Sequence, residues 1–424
     1  MSNKEKKSIK VITGRNTRWS YANVWDAKSI NGGTPKYSVS LIIPKSDVVT
    51  VQKIKDAIEA AYHEGESKLK GNGLNIQVGG DDYSNKWIIV RLLAKAKMGK
   101  YDMLFQDNRD SQPLITGDEI IELFNNMVDI ANKARKNEYK ELTETYGDID
   151  VIDALNDFVK NHTSEIRSIE EIGMEDWLLL FLLFLIEQGD IIDQYEIIKQ
   201  GFERMVFDAI YCEGNIQKLH SKMNELSKIY FSKFDNIFTL NYDHTIEKLT
   251  NRTVFHLHGE FKTKYHSEDN KNALGYLRIQ KGQNTWFPPQ LKHCNCSAIL
   301  DFSGNRKYNY AIDMTQKFLR FEKFKEMVKN KEIELKNIIE KLPHEKHELV
   351  NIGVEKNLYL GHDYNFQEFE KMTGTLLIIG LAPHNDGHIF SCINKSNINR
   401  VIFYHYFGTK SDDEIEIEKK CLYL

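Results

Sequence analysis

Three short apolar runs, each ending in a polar cluster, constrain this chain more than anything else in it. Asn236-Ile-Phe-Thr-Leu240 leads into Asn241-Tyr242-Asp243, and Thr253-Val-Phe-His-Leu257 into His258-Gly259-Glu260. Thr375-Leu-Leu-Ile-Ile379 leads into Gly380-Leu-Ala-Pro-His-Asn-Asp386. A strand that is apolar on both faces needs cover on both faces, the situation of a parallel strand between two helical layers. In open α/β sheets the residues just past the carboxyl ends of such strands line the ligand crevice. All three polar clusters stand in that position. Val401-Ile-Phe-Tyr404 reads as a further strand, and the expected architecture is an α/β, doubly wound sheet.

Between the first turn and these strands, residues 117–233 contain no proline and read as helices. Apolar residues recur at helical spacing in 118–136, 151–162, 175–188, 195–210 and 216–234. Trp177–Ile186 is apolar all round but only ten residues long, about half a membrane span. It is expected to be a buried helix, either core or an oligomer contact.

Charge divides the chain. It carries 57 Lys+Arg against 61 Asp+Glu over 424 residues, formally −4. Residues 1–70 hold 13 Lys+Arg and 7 Asp+Glu, so the remaining 354 carry −10. A basic amino-terminal piece is joined to an acidic body. Five cysteines in so long a chain point to a reducing cytoplasm. The charged start has no apolar run behind it, so neither a signal peptide nor a membrane association is expected.

The basic piece reads as strands at 9–13 and 37–44 around an Asn31-Gly32-Gly33 turn, followed by an amphipathic helix over 48–63. Arg15, Arg18, Trp19, Tyr21, Trp25, Lys28 and Lys36 interleave charge with flat rings. Single-stranded nucleic acid is held that way, phosphates by charge and bases by stacking. Core aromatics with solvated lysines give the same pattern. Residues 1–73 resemble the start of a phage single-stranded DNA-binding family with an OB-like fold. The resemblance implies a partial, β-rich OB-like segment at 1–70, with weak single-stranded DNA binding.

At Gly71 the character changes to Gly71-Asn72-Gly73-Leu74-Asn75, a glycine-rich turn of the kind that lets backbone N–H groups approach a pyrophosphate. GNGLN, FTLNYD, HLHGE and LLIIGLAPHNDGHIF, in this order over about 71–407, resemble the SIR2-like (sirtuin-related) proteins of bacterial anti-phage defence. That resemblance implies a Rossmann-like SIR2 domain starting at 71–116, interrupted by a helical insertion at 117–233 and completed by 234–424. It implies an NAD+ glycohydrolase in which Asn241 and His258 are the catalytic pair. Gly71, Gly73 and Asn75 match the first NAD turn, Thr239 and Asp243 flank the nucleotide, and Gly380 and Asp386 match the late loop near the adenosine half. It also implies a homo-oligomer gated by a partner protein or a phage-derived signal.

The residue types suit that chemistry. Breaking the nicotinamide–ribose bond leaves an oxocarbenium-like centre that polar groups stabilise without a metal. Asn241 would orient ribose or water, and His258 would serve as base, its ordinary pKa lying near operating pH. The competing reading makes His258 a structural histidine at a strand end. His256, two residues earlier, is expected to be structural. Deacetylation is the other activity of the family, but its zinc ribbon needs two CxxC pairs. The only close group here is His293-Cys294-Asn-Cys296. NAD is therefore expected as substrate, with no metal. The alternative is a DNA-binding fusion protein with an inactive SIR2-like body.

A dinucleotide turn normally follows a buried apolar strand. Gly71 instead follows His63-Glu-Gly-Glu-Ser-Lys-Leu-Lys70, whose charges would be costly to bury. The central strand before Gly71 is expected to be short, displaced or absent.

Overall fold

The computed structural model describes residues 9–13, 38–44, 75, 78–106, 112–146, 149–189, 195–264, 274–277, 289–300, 304–379 and 386–406. Among them six strands form one sheet. They are β1 (Ile9–Thr13), β2 (Ser38–Pro44), β3 (Asn236–Thr239), β4 (Phe255–His256), β5 (Thr373–Ile379) and β6 (Asn397–Tyr406). Their order is β2-β6-β5-β1-β3-β4. β6, β5, β1, β3 and β4 are parallel, and β2 closes one edge antiparallel to β6. After β1 the chain supplies the far-edge strand β2, then β3 and β4 outward on one side of β1, and returns to the other side of β1 for β5 and β6. The direction of winding therefore reverses between β1 and β5, where such sheets open a crevice.

The centre of the sheet is β1, which comes from the basic amino-terminal piece. Its sequence, IKVIT, is rich in the β-branched residues that favour strands. Residues 63–70 lie outside the described residues, as does the helix expected at 48–63. Both described strands of the basic piece share the sheet built by the acidic body.

The double-sided apolar runs behave as their composition requires. Successive residues of β3 and β5 enter different cores: Phe238, Leu376 and Ile378 join one, and Ile237, Leu377 and Ile379 the other. The first core is covered by α12 (Phe366–Glu370) and α13 (Gly387–Lys395), through Phe366, Phe369, Ile389 and Phe390. The second is covered by α7 (Glu225–Phe231) and α8 (Thr245–Thr250), through Tyr230, Phe231 and Ile246.

The helical body comprises α1 (Asn85–Lys97), α2 (Gly117–Arg135), α3 (Lys140–Tyr146), α4 (Ile149–Asn161), α5 (Met174–Glu187) and α6 (Tyr195–Tyr211). α2 begins with a capping box, in which Thr116 and Glu119 satisfy each other's backbone N–H. α5 is the apolar helix around Trp177, and every residue from Trp177 to Leu185 is buried within this chain. Phe124 meets Trp177 edge to face, and Phe181 stacks on Phe202 of α6 at 4.5 Å. The all-round hydrophobicity of α5 thus has an internal explanation as core.

The stretch 216–234 is not one helix. It divides into a 3-10 turn (Ile216–Lys222) and α7, separated by extended backbone at Met223 and Asn224. The Asn224 side chain accepts the N–H of Ser227, and this N-cap competes successfully with continuing the helix. In the carboxyl half, α9 (Gly304–Lys329), α10 (Leu335–Ile339) and α11 (His344–Glu355) carry the charged stretch between residues 318 and 347.

Candidate active site

Sheet register brings the strand ends into line. Thr13 pairs with both Thr239 and Ile379, and Thr239 pairs with His256. Just beyond this line lie Asn241 after β3, His258 after β4, and Asp386 with His388 where α13 begins after β5. Asn75, Thr239, Asn241, Asp243, His258, Asp386 and His388 are all buried, none more than 6% exposed. Gly71, Gly73 and Gly380 lie outside the described residues.

Two clusters result. In the first, the Asn75 amide nitrogen donates to Asp243 Oδ2 at 3.0 Å, across 168 residues of sequence. Asp243 Oδ1 accepts the Thr245 N–H at 3.0 Å, shaping the turn into α8. Thr239 Oγ1 accepts the Asn241 N–H at 3.0 Å, so the last strand residue orients the candidate catalytic amide. The side-chain oxygens of Asn75 and Asn241 are buried without a hydrogen-bond partner. In the second cluster, His258 Nε2 lies 2.8 Å from His388 Nε2. Burial, then the charge of Lys307, pushes His388 down to about 3, against the opposing pull of Glu175. His388 is therefore a neutral ring at physiological pH.

His256 is committed elsewhere. Its Nδ1 bonds the Asn241 carbonyl at 2.8 Å, and its Nε2 meets the Glu247 carboxylate. Burial opposes its protonation, but Glu247, Glu260 and the Asn241 carbonyl outweigh that and raise its pKa. His244 bridges Gln217 and Glu260. Burial pushes Glu260 up, but the His244 hydrogen bond and the neighbouring histidines prevail, and it falls to about 2.

The signs of these shifts define a pH window. Glu260 contributes stability above its ordinary range, lost as pH falls toward about 2. His256 contributes stability below its ordinary value, lost as pH rises through its raised one. We expect denaturant midpoints to fall between pH ~5 and pH ~2, and Glu260→Gln to flatten that fall. An equally steep acid limb in Glu260→Gln would assign the loss to other groups.

Both turns are braced by residues 295–300. The Ile299 N–H bonds the His258 carbonyl at 2.9 Å, and the Tyr242 hydroxyl donates to the Ile299 carbonyl. Ser297 Oγ accepts the Glu260 N–H at 3.0 Å. The two segments are so close that a Cβ on Gly259, whose φ is +78°, would lie 2.0 Å from the Ser297 carbonyl oxygen. Gly259→Ala should therefore displace the 258–260 turn, combining a left-handed backbone penalty with a clash. Its loss of stability, about 1–3 kcal/mol by the usual cost of such strain, is measurable by chemical denaturation. Wild-type stability would show that the turn can move away.

His293 and Cys294 belong to a different network. Asp208 on α6 accepts from Lys95 Nζ at 2.7 Å, Tyr101 OH at 2.9 Å and His293 Nε2 at 2.9 Å. The Cys294 thiol donates to the Arg204 carbonyl, and burial holds both Cys294 and Cys296 above the ordinary thiol range. Asp208, His293 and Cys294 lie close enough to share an ion. Their polar atoms are instead taken by these hydrogen bonds, and Lys95 already neutralises the carboxylate.

Sequence reasoning missed His388. It lies in the quoted APHNDGHIF run, two residues after Asp386, but its partner is 130 residues away. A histidine opening a helix just past a strand end was the available signal.

Comparison with known proteins bears on the amino-terminal part. The model of the family described as Enterobacter phage Enc34, ssDNA-binding protein, matches residues 9–82. No curated protein and no solved structure matches the chain. Among the described residues no helix is long and apolar enough to cross a membrane. The matched stretch contains β1 and β2, so the part that resembles a DNA-binding family also supplies the central and edge strands of this sheet.

Proposed function

We propose that the chain is a SIR2-like NAD+ hydrolase that cleaves the nicotinamide–ribose bond to release nicotinamide and an ADP-ribose product. The observation that carries this reading is the pair of buried, unpartnered amide oxygens on Asn75 and Asn241 at the strand ends. A buried acceptor left unpaired costs about 1–3 kcal/mol, and a ligand rich in hydroxyl and N–H donors would recover that cost. NAD is such a ligand. The Asn241 oxygen would take a ribose hydroxyl or the attacking water. As the carbon–nitrogen bond breaks, its electron pair leaves with nicotinamide. Water oxygen bonds the ribose carbon, and His258 accepts the proton released. Gly71, Gly73, Thr239, Asp243, Gly380 and Asp386 are proposed around the nucleotide, and an oligomer gated by a partner or phage-derived signal is the proposed setting.

The test is direct. The full chain is incubated with NAD, with and without lysate from phage-infected cells, and nicotinamide and ADP-ribose are quantified. Release that falls roughly 10²-fold or more in Asn241→Ala supports the reading. No nicotinamide under either condition sinks it.

The family match at residues 9–82 favours a second reading, single-stranded DNA binding by the basic amino-terminal piece. Anisotropy with a labelled oligonucleotide should then show affinity falling steeply with salt, as phosphate contacts require. Absence of binding even at low salt removes this reading.

A further inference from the structure

The three groups His258, Asp386 and His388 lie close enough together to suggest a metal ion, but the two rings are arranged for something else. Their Nε2 atoms are 2.8 Å apart, their centroids 5.0 Å apart, and their planes differ by 20°. Two imidazoles touching through one nitrogen each reach that centroid separation only when the nitrogens lie nearly on the line between the centroids. The rings are therefore end to end and almost coplanar, each Nε2 aimed at the other. That is the geometry of an in-line N–H···N hydrogen bond. Two nitrogens serving one ion would instead converge on a third point to one side.

We infer that His388 is a positioning residue for His258, sharing the Nε2–Nε2 proton so that the orientation and tautomer of the His258 ring are fixed. The inference rests on the NAD-cleaving reading only for its catalytic consequence. His388 opens α13, so its place is set by the helix and by Phe366 and Tyr308, whose rings lie 6.3 and 6.4 Å away. Lys307 Nζ is paired with Glu175 at 3.2 Å, Tyr308 OH bonds Glu370, and an Asp386 carboxylate oxygen lies within 4.8 Å of a nitrogen of each ring. In this surrounding His388 stays neutral, so whenever His258 is protonated His388 Nε2 is the acceptor. With the shared hydrogen on His258 Nε2, a proton taken from substrate or water would be received at the other ring nitrogen, Nδ1. The resulting imidazolium keeps its Nε2–H bond to the lone pair of His388. The role parallels a carboxylate that holds a catalytic histidine in one tautomer, but it adds no charge next to a cationic transition state.

Ring-nitrogen NMR on the intact chain with 15N-labelled histidine tests this without any turnover. The expected result is a through-hydrogen-bond coupling between the Nε2 atoms of His258 and His388, with the hydrogen on His258. His388→Leu should remove that coupling and lower the His258 titration midpoint by about one unit, while His388→Gln, whose amide oxygen can accept the same hydrogen, should largely preserve it. The acid limb of the nicotinamide-release profile should move with that midpoint, chiefly through kcat. No coupling in the wild type overturns the inference, as does a His258 midpoint that ignores both substitutions. The wild-type spectrum decides even if a variant fails to fold. A chain that shows the coupling but releases no nicotinamide would overturn the NAD reading and leave the histidine pair standing.

Discussion

His258→Ala is expected to lower nicotinamide release by about 10²–10⁴-fold, the usual contribution of one positioned base, and to cost about 1–3 kcal/mol of stability by leaving buried His388 without its ring partner. His258 is 4% exposed but sits past the end of β4, and its carbonyl, which the substitution keeps, makes the bond to the Ile299 N–H. His256→Ala provides the contrast. That ring ties the Asn241 carbonyl to Glu247, so its removal leaves a buried carbonyl and a half-buried carboxylate short of a partner. A loss of about 1–3 kcal/mol follows, with activity falling only as far as the Asn241 turn is disturbed. Two buried histidines two residues apart should thus separate in rate, the loss being far larger at His258. Undiminished nicotinamide release from His258→Ala would end its assignment as base.

Much of this site is legible in sequence because the information is local. A run such as TLLII, apolar at successive positions and half the length of the helical run at 177–186, reads as a strand covered on both sides. Leu376–Ile379 indeed divides its residues between two cores. The residues after the runs could be placed at strand ends for the same reason, and Asn241 and His258 stand there. Pairing partners are not local. Nothing in IKVIT says that its neighbours are NIFT and TLLII, more than two hundred residues away, so the origin of the central strand could not be read. Sequence adjacency pointed only to the charged ESKLK before the glycine turn, where a buried strand was already unexpected. The contacts of His388 with His258 and of Asn75 with Asp243 escaped for the same reason. Residues 216–234 failed differently: the pattern was helical, but one Asn side chain supplied a competing local hydrogen bond.

Asp208→Ala is expected to destabilise the fold by about 3–5 kcal/mol, the cost of breaking a buried ion pair from one side. Asp208 is 2% exposed and accepts three hydrogen bonds, from Lys95, Tyr101 and His293. Burial alone would push its carboxyl up. The bonds from His293, Lys95 and Tyr101 reverse that and hold it below the ordinary range. The stability it supplies is therefore present above the unfolded pKa and is lost as pH falls through the lowered folded one. The effect should extend to the site, because His293 is stacked on Tyr211 at 4.0 Å and leads into residues 295–300, which brace Tyr242, His258 and Glu260. Lys95→Met distinguishes a charge effect from a packing one. If the penalty is the stranded ammonium, Asp208→Ala combined with Lys95→Met should be more stable than Asp208→Ala alone. Strictly additive losses in that double variant would show that Asp208 acts through Tyr101 and His293, as an anchor of the bracing segment and not as a counter-ion.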